Sequence, residues 1–355
     1  MNIRTFAIVM IAFFVSACSA DQSLPTTAWS SAVRHQPAAT FANLYVDYGS
    51  GIGVFKPGIT KPFRTIKDGV SAASGGMAID SRGYVYLANT NAVTVYAPKS
   101  GSVLRSLVKG IVGPGAITLD KIGNVYISTC NACSGSTHGG GITIYGPGGS
   151  AFKRRITQGI SVAWRLAVSP DGKLYVANWS PIWDVAIYPP GAKTPRQTIT
   201  KFTSGVQAPS SLAFDSAGHL FLGVSGGEYG KNVIRIYPPN SITPSGVIKG
   251  LHYPGSMAID ENSGLLYVVN SNVSSSAQGS IAVYSLSTHK LVSSIINGVA
   301  NPFCIAVDST GRLYVGNWGY GSASTPRVTV YSPGGTSLIG TIVLGQRPSA
   351  LAFGP

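Results

Sequence analysis

Carboxylates are scarce in this chain. Asp and Glu together number 12 in 355 residues, and Glu228 and Glu261 are the only glutamates. Chemistry that needs converging acids has little to draw on, because Asp80, Asp120, Asp215, Asp260 and Asp308 share one repeated position and Asp171 falls in the equivalent turn. Their recurrence marks turn geometry rather than catalysis. Histidine is thinner still: His35, His138, His219, His252 and His289 show no His-x-Glu and no paired-His spacing, so the common zinc-hydrolase signatures are missing. There are four cysteines. Cys130 and Cys133 form a C-x2-C pair followed by His138, but Thr143 stands where a zinc knuckle would need its last ligand, and Ser134 stands where a haem attachment would need His. A loop-stapling disulfide between Cys130 and Cys133 is the simpler reading in an oxidising compartment, and Cys304 reads as a buried thiol. Long apolar runs are absent except for Phe6–Val15, ten residues, where a membrane-spanning helix needs about 20.

What the sequence has in abundance is repetition, with a period of about 45 residues. A short apolar strand ending in Asp returns as MAID (77–80), ITLD (117–120), LAVS (166–169), LAFD (212–215), MAID (257–260), IAVD (305–308) and LAF (351–353). The first six are each followed by a Gly-containing turn, and a second strand occurs seven times, centred on Tyr45, Tyr86, Tyr126, Tyr175, Phe221, Tyr267 and Tyr314. A third strand ends in motifs such as IYPPG (187–191) and VYSPG (330–334), and a fourth follows, as in FRTIKDG (63–69). Four β-type runs per unit predict propeller blades. The first unit lacks its first strand, and the chain ends in a first strand with nothing after it. An all-β, seven-bladed propeller of four-stranded antiparallel blades follows, over residues 42–355, with the C-terminal strand completing the N-terminal blade. Such closure removes exposed sheet edges between first and last blades.

The N-terminus carries a single early charge at Arg4, the apolar run, and then Val15-Ser16-Ala17-Cys18. This resembles a bacterial lipoprotein signal, which implies cleavage after Ala17 and a lipid on Cys18; an ordinary secretory signal is the alternative. Ser19 after the cysteine implies, by the same resemblance, the outer membrane in a two-membrane cell. The expected division is a signal over 1–17, a tether over 18–41 and the propeller. As flexible coil, residues 19–41 would reach about 25–30 Å.

The net charge is +14. Cations fall on or beside the fourth strands, at Arg64, Lys67, Arg105, Lys109, Lys153, Arg154, Arg155, Arg196, Lys201, Lys249 and Lys290, and so form a ring at the outer rim. Such a rim suits an anionic membrane or wall polymer near contact, or simply solubility. Nucleic acid is not expected of an exported protein.

Recognition residues are sought in the connections that a propeller gathers at one end of its channel. The long loops Cys130–Gly141, Trp179–Asp184, Ser225–Asn232, Ser271–Ser280 and Trp318–Arg327 carry Trp179, Trp183, Glu228, Tyr229, Trp318 and Tyr320. The inter-blade segments add Trp164, Arg165 and Phe303 where other copies have Gly, Ser or Ala. Aromatic side chains on polar loops suit sugars, peptides or other rings, and they equally suit filling the gaps between blades. Asp47 is the one acid at a position otherwise small or Val; it is either a channel-facing ligand or a hydrogen-bonded strand end. Asn89, Asn178, Asn270 and Asn317 recur at second-strand ends, where they satisfy backbone.

Units such as PGSMAIDENSGLLYVVN (254–270) followed by IAVYSLSTHKLVSSIING (281–298) resemble the NHL and YVTN-type repeats of exported bacterial propellers. The resemblance implies either a binding scaffold or a lactonase- or lyase-type enzyme. Two functions are therefore carried forward. One is a monomeric, lipid-anchored envelope module without cofactor that binds a protein, peptide or glycan at the loop-rich face. The other is an enzyme using a divalent cation such as calcium at the channel mouth.

Overall fold

The computed structural model describes residues 42–71, 76–130, 139–179, 182–200, 207–226, 232–271, 279–319, 325–335 and 337–355. Among them, strands form seven four-stranded antiparallel sheets. Blade I takes β1 (Asn43–Asp47), β2 (Ile52–Phe55) and β3 (Arg64–Ile66). Blade II is β4 (Met77–Ile79), β5 (Val85–Ala88), β6 (Val93–Tyr96) and β7 (Val103–Leu107). Blade III is β8 (Pro114–Leu119), β9 (Val125–Cys130), β10 (Gly140–Tyr145) and β11 (Phe152–Ile156), and blade IV is β12 (Val162–Val168), β13 (Leu174–Trp179), β14 (Val185–Tyr188) and β15 (Gln197–Ile199). Blade V is β16 (Gln207–Phe214), β17 (Leu220–Gly226), β18 (Val233–Tyr237) and β19 (Gly246–Ile248); blade VI is β20 (Tyr253–Asp260), β21 (Leu265–Ser271), β22 (Ser280–Ser285) and β23 (Leu291–Ile295). Blade VII is β24 (Pro302–Val307), β25 (Leu313–Asn317), β26 (Arg327–Tyr331) and β27 (Leu338–Val343). The last strand, β28 (Ala350–Gly354), returns to blade I.

Ring closure follows the sequence. The order in blade I is β28-β1-β2-β3, and β28 runs antiparallel to β1 from the Asn43–Gly354 pair to the Asp47–Ala350 pair. The innermost strands β4, β8, β12, β16, β20, β24 and β28 each touch the next and return to the first.

Apolar residues explain why the sheets need one another. Seven clusters sit between blades, one per junction. The junction of blades VII and I, for example, joins Ala306, Tyr314 and Val330 to Leu44, Phe55 and Leu351. A lone blade would leave both faces wet, so each sheet is stable only between neighbours.

The repeated acids sit at the end of the ring opposite the long loops. Asp80 Oδ1 accepts the backbone N–H of Arg82 and Tyr84, both at 3.0 Å, and Asp308 Oδ1 likewise accepts Thr310 N and Arg312 N. Tyr86, Tyr126 and Tyr314 donate their hydroxyls to Asp80, Asp120 and Asp308 at 3.2, 3.1 and 3.2 Å. Each carboxylate holds its turn and ties it to the second strand. Blade I has no such Asp; Tyr45 donates instead to the carbonyl of Pro355 at 3.4 Å.

Candidate functional site

At the mouth, where second strands run into third strands, the inner strands depart from regular pairing. One extra residue slips in between Pro114 and Ile117, Ala163 and Arg165, Pro209 and Ser211, Pro254 and Met257, and Pro302 and Cys304. A bulge bends the strand and re-aims a side chain. In β16 the inserted residue is Ser210, but in β12 it is Trp164 and in β24 it is Phe303. Large aromatic residues therefore occupy the bulges of blades IV and VII, and Phe303 packs against the cluster between blades VII and I.

On blade IV, Trp164, Trp179 and Trp183 form a continuous group. Trp164 and Trp179 have ring centroids 4.9 Å apart, and Trp179 and Trp183 are also 4.9 Å apart. Trp183 holds a left-handed backbone, φ 52°, an unusual state for a bulky residue that the surrounding structure must impose. Arg165 lies with its guanidinium 5.2 Å from the Trp164 ring, and its Nε donates to the Ser210 carbonyl at 3.1 Å. Desolvation alone pulls the Arg165 pKa down to about 10, so it stays charged at neutral pH. Ser210 Oγ passes the link on to the Pro254 carbonyl at 2.7 Å, joining blades IV, V and VI around the axis.

On blade VII, Phe303 and Trp318 stack at 4.1 Å with 22° between planes. Trp318 Nε1 donates to the Pro348 carbonyl at 2.8 Å, which fixes the ring, and the Arg347 guanidinium lies 5.4 Å from it. Arg347 was not among the residues picked out from sequence. Its signal was local: where an inner-strand proline follows, the preceding residue is Gly113, Ala208, Tyr253 or Asn301 in other blades, and only here is it charged. The two platforms lie three blades apart in a ring of seven, almost half-way round the mouth from each other.

Asp184 is buried behind Trp183, 7% exposed, and accepts Asn178 Nδ2 at 2.6 Å. Burial raises its pKa, and the Asn178 bond only partly offsets this. A carboxyl whose folded pKa is raised favours folding most when protonated, and that advantage is lost as pH rises through the folded value. Asp184→Asn is therefore expected to melt higher than wild type at pH 7, with the difference vanishing near pH 4; a melting series across pH checks it, and a constant offset at all pH values would contradict it.

Asn178 also accepts Ser161 N at 3.2 Å. Asn89, Asn270 and Asn317 do the same for Ser71 N, His252 N and Ala300 N at 2.9, 2.8 and 2.8 Å, so these side chains fasten the incoming connections. Asp47 is not a channel-facing ligand: it has no exposed surface and accepts Ser349 Oγ at 2.5 Å and Gly49 N at 3.1 Å. Its equivalents are small because the inner strand leans on them. A Cβ at Gly316 would lie 2.4 Å from Cys304 Sγ, and one at Gly223 would lie 2.2 Å from Ser211 Oγ.

Cys304 is a free, buried thiol. Cys130 is disulfide-bonded, and its partner lies outside the described residues, as do Cys133, Cys18, His138, Glu228, Tyr229 and Tyr320. Among the described residues, no three of His, Cys, Asp and Glu gather in a way that would hold a metal ion.

No family profile matches the chain, and no curated protein sequence does. Solved structures do. A chain of hydrazine synthase from Kuenenia stuttgartiensis superposes with a TM-score of 0.66 at 13% identity, covering 88% of this chain and 97% of that one. A chain from the crystal structure of a mitotic checkpoint complex gives 0.60 at 16% identity, covering 79% and 83%. The likeness is one of fold alone. An enzyme and a member of a multi-protein complex share this propeller, so the ring does not choose between catalysis and binding.

Proposed function

We propose that the protein is a binding module whose loop-rich mouth captures an acidic glycan of the cell envelope, and that a lipid on Cys18 holds it there. The observation that carries this reading is the pairing of tryptophan with guanidinium on two platforms across the mouth, Trp164, Trp179 and Trp183 with Arg165, and Trp318 with Arg347. An indole face packs on the apolar face of a sugar ring, and a guanidinium forks onto a carboxylate. Trp164 and Phe303 sit on inner strands and Trp179 ends a second strand, while the Trp318 ring is fixed by its bond to the Pro348 carbonyl, so part of each platform is preset and less ordering cost falls on binding. The fold's use in a multi-protein complex supports the general role of partner binding, and the NHL and YVTN-type repeat pattern agrees with an exported propeller.

The test is titration of intrinsic tryptophan fluorescence with an acidic oligosaccharide, polygalacturonate fragments, against a neutral oligosaccharide of equal length. Trp179→Ala with Trp318→Ala is expected to weaken binding at least ~30-fold, the size of one lost hot spot, while the circular dichroism spectrum stays that of the ring. Unchanged affinity in that double variant overturns the reading. In cells, Cys18→Ser is expected to move the protein from the membrane fraction to the soluble one.

A further inference from the structure

At the outer corner where blades VII and I meet, exposed apolar side chains stand among cations. The loop from β2 to β3 carries exposed Ile59 and Phe63, and the start of β27 adds exposed Leu338 and Ile339. Second strands run into third strands at the mouth, so this loop and the turn before β27 lie at the opposite end of the ring. Two close approaches join the halves of the corner. A Cβ on Gly340 would lie 3.7 Å from Thr60 Cγ2, and one on Gly58 would lie 3.6 Å from Arg312 Nη1. Lys56 and Lys61 are exposed on the same loop. The Lys56 ammonium and the Arg64 guanidinium each stand 5.8 Å from the Phe63 ring.

Charge at this corner has one sign. No Asp or Glu occurs at positions 48–67 or 309–355. Strand β27, unlike the other outer strands and their flanks, carries no charge of either sign, so the cations gather on the loop of blade I and at Arg312. The nearest acid of blade VII, Asp308, is taken up by its own turn, where it accepts Thr310 N, Arg312 N and the Tyr314 hydroxyl. Asp68 lies past the other end of β3. The N-terminal segment meets the ring here as well. Leu44 pairs with Phe55, the residue directly before Lys56, so the chain preceding β1 joins the ring beside this loop.

We propose that this corner rests on the surface of an anionic lipid bilayer, with Ile59, Phe63, Leu338 and Ile339 entering the headgroup layer while Lys56 and Lys61 meet its phosphates. Attachment of this kind grows with the apolar area that enters the interface and with electrostatic attraction to anionic lipid. Each lysine or arginine brought near such a surface strengthens binding roughly 5-fold. A soluble acidic polymer would use the cations but gives exposed isoleucine nothing to enter; a bilayer uses both. That a bilayer is at hand rests on reading Cys18 as lipidated, and only residues 19–41 then separate the lipid from Ala42 at this corner. A single acyl chain anchors marginally, and a second signal makes the attachment stable. Docked in this way, the ring turns its mouth away from the lipid.

The experiment is flotation of the mature chain, carrying Cys18→Ser so that no lipid holds it, with vesicles of phosphatidylethanolamine and phosphatidylglycerol, and separately with vesicles of phosphatidylcholine. Binding is expected on the anionic vesicles alone and is expected to fade as salt rises. Lys56→Gln with Lys61→Gln is expected to weaken it at least ~10-fold. Ile59→Ser with Ile339→Ser, which changes no charge, is expected to weaken it at least ~5-fold. All four positions are exposed, so melting temperatures are expected to stay as in wild type. Ile242→Ser, exposed in the equivalent loop of blade V, is expected to leave vesicle binding intact. A chain that ignores the anionic vesicles or binds both kinds alike overturns the proposal, as does wild-type binding in either the glutamine or the serine variant. Polygalacturonate binding, read by tryptophan fluorescence, is expected to be the same in all these variants; its loss alongside vesicle binding would assign the corner to an acidic polymer and overturn the proposal too. Failure on vesicles leaves the glycan reading of the mouth and the fractionation of Cys18→Ser untouched, and their failure leaves the vesicle result untouched.

Discussion

Deletion of residues 346–355 should abolish the cooperative melting of the ring. That segment contains β28, which pairs with β1 along five residues and touches β4 on one side and β24 on the other. Without it, Leu351 leaves the cluster between blades VII and I, Ala350 leaves the cluster between blades I and II, and β1 becomes a bare inner edge. Domains hold only ~5–15 kcal/mol in reserve. Loss of one inner strand and part of two of the seven cores is therefore expected to remove most of it, lowering the melting temperature by more than ~15 °C or leaving no soluble monomer. Near-ultraviolet circular dichroism during heating reads the result. A truncated chain that melts within a few degrees of wild type would show that the ring does not depend on its tail. Addition of the missing segment as a free peptide should restore part of the transition.

The second large effect is expected at Asp47. Its carboxylate is wholly buried and accepts Ser349 Oγ from the tail and Gly49 N from the β1–β2 turn, and Ser349 N bonds the Asp47 carbonyl at 2.8 Å. Its negative charge adds to the effect of burial in raising the pKa of both the Cys304 thiol and the Tyr96 hydroxyl. Asp47→Ala strands Gly49 N and leaves Ser349 Oγ only the Asp47 carbonyl at 3.1 Å; a buried donor without a partner costs about 1–3 kcal/mol. The expected loss is about 1–3 kcal/mol, or roughly 2–5 °C. Asp47→Asn keeps an acceptor oxygen and should lose less than half as much. Chemical denaturation of the three proteins decides this, and an alanine variant as stable as wild type would show that the contact does not support closure.

The blades were legible because each strand repeats its own chemistry. Alternating β-branched and aromatic residues such as Val93–Tyr96 predict a buried third strand, and β6 is buried throughout. Closure was legible because one strand was missing at the head and one was spare at the tail. The mouth was legible only in part. Trp164 and Phe303 stood out from Gly and Ser in other copies, but the bulges that aim them depend on pairing with β13 and β25, and no single-strand pattern records a register slip. Arg347 carries no sequence signal beyond a charge before a proline, and that charge matters only because the Trp318 ring lies beside it. The positions of the cations alone suggest a complete circle at the rim. Its gap at β27 shows only when each outer strand is assigned to its blade. Asp47 was noted as odd, and its reason lies 302 positions away at Ser349.

The same 302-position span sets a timetable for biogenesis. The hydroxyl that locks Asp47 is made 302 residues after it, so nothing made earlier can latch the torus shut. Until Ser349 and β28 are made, the nascent polypeptide is an unlocked row of wedges with two raw flanks.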